Sequence, residues 1–233
     1  MTWVKICGMT NLEDALVAVD AGADAVGFVF YEKSPRCVTL ERAREIVEKL
    51  PESVETVGVF AGDSLMHAGE TGENAGFDSL QLYPLATPNS LEVLEKAGLK
   101  HPAQRKTGQK KIYLALPVSK SFMEEHGLSV ELADPEGEFV ALLLDSGSGQ
   151  KPGGTGLAFD WNSAATTVAT LNVKQKVVVA GGLTPQNVGD AISTLQPWGV
   201  DVVSGVEASP GKKDREKVRA FVRAVREMDR RAG

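Results

Sequence analysis

Two stretches near the C-terminus decide the fold: VVVAGGLTPQN at residues 177–187 and VVSGVEASPG at residues 202–211. Each begins as a run of β-branched apolar residues and ends abruptly at glycine. Such a run, bounded by turn residues, is typical of a strand buried on both faces, as in a parallel sheet. Glycine directly after the strand lets the backbone approach a ligand and direct N–H groups at an anion. Either stretch alone also suits an ordinary tight turn, whereas two in tandem favour an anion site.

The composition predicts one globular domain over residues 1–233. A hydrophobic fraction of 42% and a charged fraction of 24% are ordinary for such a domain. The net charge of −6 gives no reason to expect nucleic acid or a membrane surface as a partner, although backbone dipoles can still bind a small phosphate. No membrane-length apolar run or signal-peptide pattern is found, and two cysteines without secretory context indicate free thiols. We therefore expect a cytoplasmic protein.

Strands and helices alternate along the chain, which favours a parallel α/β fold with right-handed crossovers. Strands are predicted at 3–7, 25–30, 55–60, 78–83, 112–116, 139–145, 176–180 and 200–204. Helices are predicted to follow them, the clearest from residue 12 to a stop at Gly22 and at 40–50, 160–171 and 214–228, with weaker ones in 61–76, at 90–97, near 120–126 and after residue 185. Eight such units predict a single-domain (β/α)8 barrel, also called a TIM barrel. A doubly wound open sheet is the alternative, but it would place its phosphate motif after strand one, where KICGMT at 5–10 has no G-x-G-x-x-G.

Local signals predict several helix ends and one loop. Thr10 is expected to cap the first helix in a capping box with Glu13, and Gly22 to follow its last turn. Thr184 is expected to cap the seventh helix, with proline at its first position. The basic stretch at 98–111 has no apolar period and is expected to be a solvated loop, with a basic lid as the alternative.

In such a barrel, the chemistry lies at the carboxyl ends of the strands. The side chains or turns expected there, or in the loops that follow, are those of Cys7, Phe30, Arg36, Phe60, Gln81, Tyr83, Asp145, Gly181, Gly182, Ser204 and Gly205. Cys7 and Asp145 form the only titratable pair with a clear acid/base assignment, because they can move protons on opposite sides of one substrate. Lys5, two residues before Cys7 on a strand, would point the same way and favour its thiolate.

Simpler interpretations of the same residues stay open. Cys7 is also consistent with a buried core residue, and Asp145 with a cap of the following turn. Cys37 is interpreted as structural. Three histidines, at positions 67, 101 and 126, lack metal-ligand spacing, so no bound metal is expected.

Short motifs in a fixed order resemble the phosphoribosylanthranilate isomerase family. They are KICGMT (5–10), GFVF (27–30) with SPR (34–36), VGVF (57–60), LQL (80–82), LDS (144–146), GGTG (153–156) with FDW (159–161), AGGLTP (180–185), and SGVE (204–207) with PGKKD (210–214). Each motif is weak alone, but the ordered set spans nearly the whole chain and is highly specific.

The resemblance implies an isomerase of tryptophan biosynthesis that needs no cofactor. Its reaction is the Amadori rearrangement of N-(5′-phosphoribosyl)anthranilate, a small phosphosugar substrate. Cys7 matches the general base at C2, and Asp145 matches the general acid at the furanose oxygen. Arg36 matches the residue at the anthranilate carboxylate. Gln81 matches a substrate-pocket position, and Gly181, Gly182, Ser204 and Gly205 match the phosphate loops. Tyr83 is expected to bind substrate beside Gln81.

The chain also departs from the family pattern. Tyr83 stands where the family usually has His, and YLALP at 113–117 stands where an Arg-containing segment is usual. Two other functions therefore stay open: an aminoaldose-phosphate isomerase of histidine biosynthesis, and a non-catalytic phosphosugar-binding barrel. Cys7 argues against the first, which typically has Asp there, whereas Tyr83 hints at the second. A monomer is expected, with a dimer as the alternative.

Overall fold

Eight parallel strands close into a barrel in the computed structural model, which describes residues 1–83, 97, 110–118, 139–146 and 159–232. Each strand pairs with the next in sequence, and the last pairs with the first. The strands are β1 (Trp3–Cys7), β2 (Ala25–Val29), β3 (Glu55–Ala61), β4 (Ser79–Tyr83), β5 (Lys111–Pro117), β6 (Ala141–Asp145), β7 (Val177–Ala180) and β8 (Gly199–Val202). The predicted (β/α)8 barrel is confirmed, and the open-sheet alternative is wrong.

Helices surround the barrel in the described part of the chain. They are α1 (Leu12–Asp20), α2 (Leu40–Val47), α3 (Ala68–Ala75), α4 (Trp161–Asn172), α5 (Val188–Leu195) and α6 (Arg215–Ala232). A 3-10 turn at Gly62–His67 precedes α3, which agrees with the short helix expected in this glycine-rich segment. None of the described helices is long and apolar enough to cross a membrane. The helices predicted at 90–97 and near 120–126, and nearly all of the basic stretch at 98–111, lie outside the described residues.

Successive residues of each strand alternate between two apolar layers. On β6, Leu142 and Leu144 pack with the helix-facing core, whereas Leu143 belongs to a second cluster inside the barrel. On β1 the same alternation turns Lys5 and Cys7 inward. The side-chain alternation of β1 therefore decides that a lysine and a cysteine share the barrel interior.

Aromatic side chains fill the amino-terminal end of the barrel. Trp3 stacks on Tyr113 with ring centroids 5.4 Å apart and on Trp198 at 5.2 Å. The Tyr113 hydroxyl donates hydrogen bonds of 3.0 and 3.1 Å to the Glu55 carboxylate. This layer occupies the interior at one end and leaves polar side chains at the other.

Two predicted helix starts are wrong. The cap of α1 is Asn11, whose side-chain oxygen accepts the Asp14 N–H at 2.8 Å, because the Thr10 hydroxyl instead donates to the Gly211 carbonyl at 2.6 Å. Gly22 follows this helix with φ +89°, as predicted.

The start of α5, the seventh helix in the sequence prediction, is also displaced along the chain. The Asn187 side chain accepts the Thr184 N–H at 2.7 Å and donates to the Gly182 carbonyl at 3.0 Å. These bonds close residues 182–187 into a turn, so the helix begins at Val188 rather than after Thr184. Likewise, β8 ends at Val202 because Ser204–Val206 forms a 3-10 turn. An antiparallel ribbon of β9 (Glu207–Ser209) and β10 (Lys212–Lys213) follows.

The cap assignment predicts the cost of replacing Asn11. Asn11→Ala removes the side-chain acceptor of the first turn and should lower the free energy of unfolding by about 1 kcal/mol. Urea unfolding at neutral pH measures this. Glu13→Ala is the matched control, because Glu13 makes only an exposed ion pair with Arg215 and should cost less than about 0.5 kcal/mol. A larger loss for Glu13→Ala than for Asn11→Ala would restore the Thr10 capping box.

Candidate active site

Cys7 ends β1 inside the barrel, beside a buried ion pair. The Lys5 ammonium donates to the Asp201 carboxylate at 2.6 Å, and both side chains are at most 3% exposed. Lys5 and Asp201 are also register partners on β1 and β8. Lys5 and Cys7 lie side by side in the barrel, because a Cβ at Gly27 would meet both side chains. The predicted placement of Lys5 beside Cys7 is therefore confirmed, whereas sequence reasoning missed Asp201.

Opposing effects act on the Cys7 thiol. Burial raises the pKa of Cys7, and the Asp201 charge adds to the rise, whereas Lys5 and Lys213 act to lower it. The balance leaves the pKa above its ordinary value of 9.0. The thiol is therefore protonated in the free site at neutral pH, and the two lysines limit the penalty for forming its thiolate.

Asp145 ends β6 on the same side of the barrel, with only 4% of the residue exposed. Its carboxylate accepts a 2.7 Å hydrogen bond from the hydroxyl of Tyr83, the last residue of β4. Burial and the charges of Asp145 and Asp201 hold the pKa of Tyr83 well above its ordinary value of 10.0. The phenol therefore keeps its proton and is the donor in this bond.

A small cavity connects Asp145 with the ends of β7 and β8. Its volume is about 20 Å³, and its lining includes Asp145, Asp201, Gly181, Gly182 and Ser204. Oδ1 of Asp201 is buried there and accepts no hydrogen bond from the described residues. The fold thus brings the predicted acid together with three of the four predicted phosphate positions and leaves a carboxylate oxygen for a donor.

The predicted phosphate loops depend on glycine for close backbone approach. Gly181 and Gly182 have φ values of +85° and +65°, a region that L side chains rarely adopt. A Cβ at Gly205 would overlap the carbonyl oxygen of Leu183, so glycine lets the β8 loop lie against the β7 loop. The Gly182 N–H donates to no other backbone group of the described chain, so it can donate to a ligand.

Arg36 lies beside the loop after β1, in a pair that sequence reasoning missed. Its Nε and Nη2 donate to the two oxygens of Glu207 at 3.0 and 2.6 Å. Glu207 also accepts from Lys213 at 3.2 Å and from the Gly211 N–H at 3.2 Å. Burial alone would raise the pKa of Glu207, but the Arg36 hydrogen bond and the Lys213 charge outweigh it and lower that pKa.

The remaining candidates lie apart from this arrangement or outside the described residues. Gln81 is buried on β4, and its Oε1 has no partner among the described residues. Cys37 is an exposed free thiol. Within the described ranges no three His, Cys, Asp or Glu side chains converge as metal ligands, and His101, His126 and the GGTG motif at 153–156 are not described. That the protein binds no metal stays a prediction.

The chain is similar to one enzyme family over nearly its full length. The sequence profile of N-(5'phosphoribosyl)anthranilate (PRA) isomerase matches residues 4–224. A relative from Pelobacter propionicus, named N-(5'-phosphoribosyl)anthranilate isomerase, is 43% identical over 227 residues, which cover 97% of each chain.

Solved structures give the same result. One is a phosphoribosyl anthranilate isomerase in complex with reduced 1-(o-carboxyphenylamino)-1-deoxyribulose 5-phosphate; it is 36% identical, with a TM-score of 0.76 over 97% of this chain and 100% of that one. Another contains monomers generated from the dimeric phosphoribosylanthranilate isomerase of Thermotoga maritima. It is 36% identical, with a TM-score of 0.75 over 97% of this chain and 100% of that one.

The lowered pKa of Glu207 predicts how the stability of this site depends on pH. Glu207→Gln removes the charge that Arg36 and Lys213 contact and should lower the free energy of unfolding by roughly 1.5–3 kcal/mol at pH 7. A carboxylate with a depressed folded-state pKa stabilises fully above its ordinary value of 4.5 and loses that contribution as pH falls through the folded value. The difference between the two proteins should therefore shrink below pH 4.5 in denaturant titrations. An equal difference at pH 7 and pH 3 would contradict this account.

Proposed function

The chain belongs to the N-(5'-phosphoribosyl)anthranilate isomerase family, and on that premise we propose that Cys7 and Asp145 are the general base and general acid of its reaction. The protein isomerises N-(5'-phosphoribosyl)anthranilate to 1-(2-carboxyphenylamino)-1-deoxyribulose 5-phosphate in tryptophan biosynthesis. One observation carries the residue roles: Asp145 and Asp201 line one cavity with the phosphate-loop glycines, and Asp201 pairs with Lys5, which lies beside Cys7. Asp145 therefore borders the cavity directly, and Cys7 lies next to the ion pair at its edge.

Asp145 is suited to the first proton transfer. Ring opening requires a proton on the furanose oxygen as its bond to C1 breaks, which leaves a cationic imine between C1 and the anthranilate nitrogen. The Asp145 carboxyl supplies that proton and becomes a carboxylate that the Tyr83 hydroxyl stabilises. Burial at the end of β6 excludes bulk water from this step.

Cys7 is suited to the second transfer. The imine makes the proton on C2 acidic, and the Cys7 thiolate removes it, so that the electron pair forms an enamine. The Cys7 thiol first releases its S–H proton to solvent, and Lys5 and Lys213 favour the resulting thiolate against burial. The enol at C2 then loses its O–H proton and C1 gains a proton, which gives the ketone. The aldose-to-ketose conversion is therefore complete without any net oxidation or reduction.

The two ends of the substrate have separate binding groups. Arg36 uses Nε and Nη2 on Glu207, which leaves Nη1, unpaired among the described residues, for the anthranilate carboxylate. Gly181, Gly182, Ser204 and Gly205 lie on the two loops at the other end, where backbone N–H groups suit a phosphate. Gln81, whose buried Oε1 has no partner among the described residues, is proposed to contact the substrate between the two ends.

The proposal also covers the assembly and the location of the protein. We propose a monomer, because the large apolar side chains exposed in the described ranges are single and lie on separate elements: Met1, Leu16, Met66 and Val173. The dimer remains the alternative, since the Thermotoga maritima enzyme is dimeric. A cytoplasmic location is proposed because both cysteines are free thiols.

The acid/base assignment predicts large effects of conservative substitutions. Cys7→Ser and Asp145→Asn should each lower kcat at least about 10²-fold, because each removes one proton-transfer group. Cys37→Ser is the matched control and should keep the parent kcat, since Cys37 is exposed and outside the site. Steady-state turnover, followed by the fluorescence of the anthranilate substrate, gives the three values. A folded, active Cys7→Ser protein would return Cys7 to the interpretation as a core cysteine.

The phosphate assignment predicts an effect on KM. The Cβ of Gly205→Ala overlaps the Leu183 carbonyl oxygen and separates the two loops, so KM should rise at least about tenfold, the loss expected for one charge-assisted hydrogen bond. Inhibition by inorganic phosphate should weaken in parallel. Gly189→Ala is the control, because its Cβ lies 3.6 Å from the Met228 sulfur in ordinary contact. Unchanged phosphate inhibition in folded Gly205→Ala would remove Gly205 from the site.

A further inference from the structure

We infer that Tyr83 is a positioning residue for the reaction, whose hydroxyl holds the Asp145 carboxyl group at the substrate cavity and stabilises it after it has given up its proton. The inference rests on the proposed role of Asp145 as the general acid. The sequence predicts only that Tyr83 contacts substrate. In the structure its hydroxyl instead lies 2.7 Å from Oδ2 of Asp145, so Tyr83 acts through that residue.

The fold makes this contact possible across an intervening strand. Tyr83 ends β4 and Asp145 ends β6, and β5 lies between them. The interior residue of β5 at the level of Tyr83 is Ala115, whose one-carbon side chain leaves room for the phenol ring to pass over the strand. Asp145 pairs in register with Pro117, two residues farther toward the barrel mouth. The length of tyrosine spans this step and ends at the carboxylate.

The charges around the carboxyl group explain why a fixed donor matters there. Asp201 faces the same cavity from β8, and Cys7 and Lys5 face the interior from β1. When Asp145 gives its proton to the ring oxygen, a second negative charge appears near Asp201, whose own charge is paired with Lys5. The Tyr83 O–H favours that new carboxylate.

Tyr83 itself transfers no proton in this step. Its phenol keeps its proton throughout the working pH range, because burial and the neighbouring carboxylates oppose ionisation. The O–H bond of Asp145 breaks, the O–H bond on the sugar forms, and the hydrogen bond from Tyr83 persists through both states. The residue is therefore a positioning group and not a second acid.

Tyr83→Phe tests the inference with little change in shape. It removes a donor that favours the carboxylate, so Asp145 should hold its proton to higher pH, by about 1 pH unit. The readout is NMR titration of the 13C-labelled aspartate carboxyl groups, in which the Asp145 signal is the one missing from Asp145→Asn. At pH 7 we expect kcat to fall roughly tenfold, because the Asp145 carboxyl group is less well positioned and its carboxylate loses a donor. KM should change less than about twofold, because the substrate contacts remain.

Tyr113→Phe is the matched control. It removes the hydroxyl of another buried tyrosine that donates to a carboxylate, Glu55, at the opposite end of the barrel. The Asp145 titration and kcat should match those of the parent protein. An equal shift in Tyr113→Phe, an unshifted titration in Tyr83→Phe, or a shifted titration with unchanged kcat would each overturn the inference.

The same series separates this inference from the proposed function. If Asp145→Asn keeps its activity, Asp145 is not the acid and both fail. If Asp145→Asn is inactive while Tyr83→Phe titrates and turns over like the parent protein, the acid assignment stands and only the role of Tyr83 is wrong.

Discussion

The buried ion pair between Lys5 and Asp201 is the constraint on which the rest of the site depends. Removing two charges from water costs several kcal/mol per ion, so such a pair persists only with close contact, here 2.6 Å. Because the partners lie opposite each other on β1 and β8, the pair forms only when the barrel closes in the observed register. Closure in that register also brings Cys7 and the loop after β8 to the same end of the barrel.

The polar groups at this end form a series of pairs rather than a patch. Lys5 contacts Asp201, Tyr83 contacts Asp145, and Arg36 contacts Glu207, which also binds Lys213. The Lys5–Asp201 pair leaves Oδ1 of Asp201 without a partner among the described residues, so it can accept from a ligand. The opposite end holds stacked aromatic rings around Trp3. The amino-terminal end of the barrel is therefore filled by aromatic rings, and it supports polar side chains that are already paired at the carboxyl-terminal end.

The sequence predicted the secondary-structure elements far better than the contacts of individual side chains. Short apolar runs bounded by turn residues identify buried strands, so all eight strands were found within about two residues. The first helix cap was wrong because the Gly211 carbonyl, far along the chain, takes the Thr10 hydroxyl. The second was wrong because the Asn187 side chain closes the turn at Thr184. Tyr83 and Asp145 are 62 residues apart, and Arg36 and Glu207 are 171 apart. Only the closed barrel makes these residues neighbours, so no local pattern could reveal the pairs.

In the proposed mechanism, the electrostatics of the mouth also favour one order of the two proton transfers. In the free site, burial and Asp201 keep Cys7 a neutral thiol, despite Lys5 and Lys213. Ring opening by Asp145 adds a positive charge at the imine, one bond from the carbon whose proton Cys7 removes. That charge favours the thiolate and acidifies the C2 proton at the same moment. In this mechanism the thiolate is therefore favoured after ring opening, whereas burial opposes it in the empty barrel.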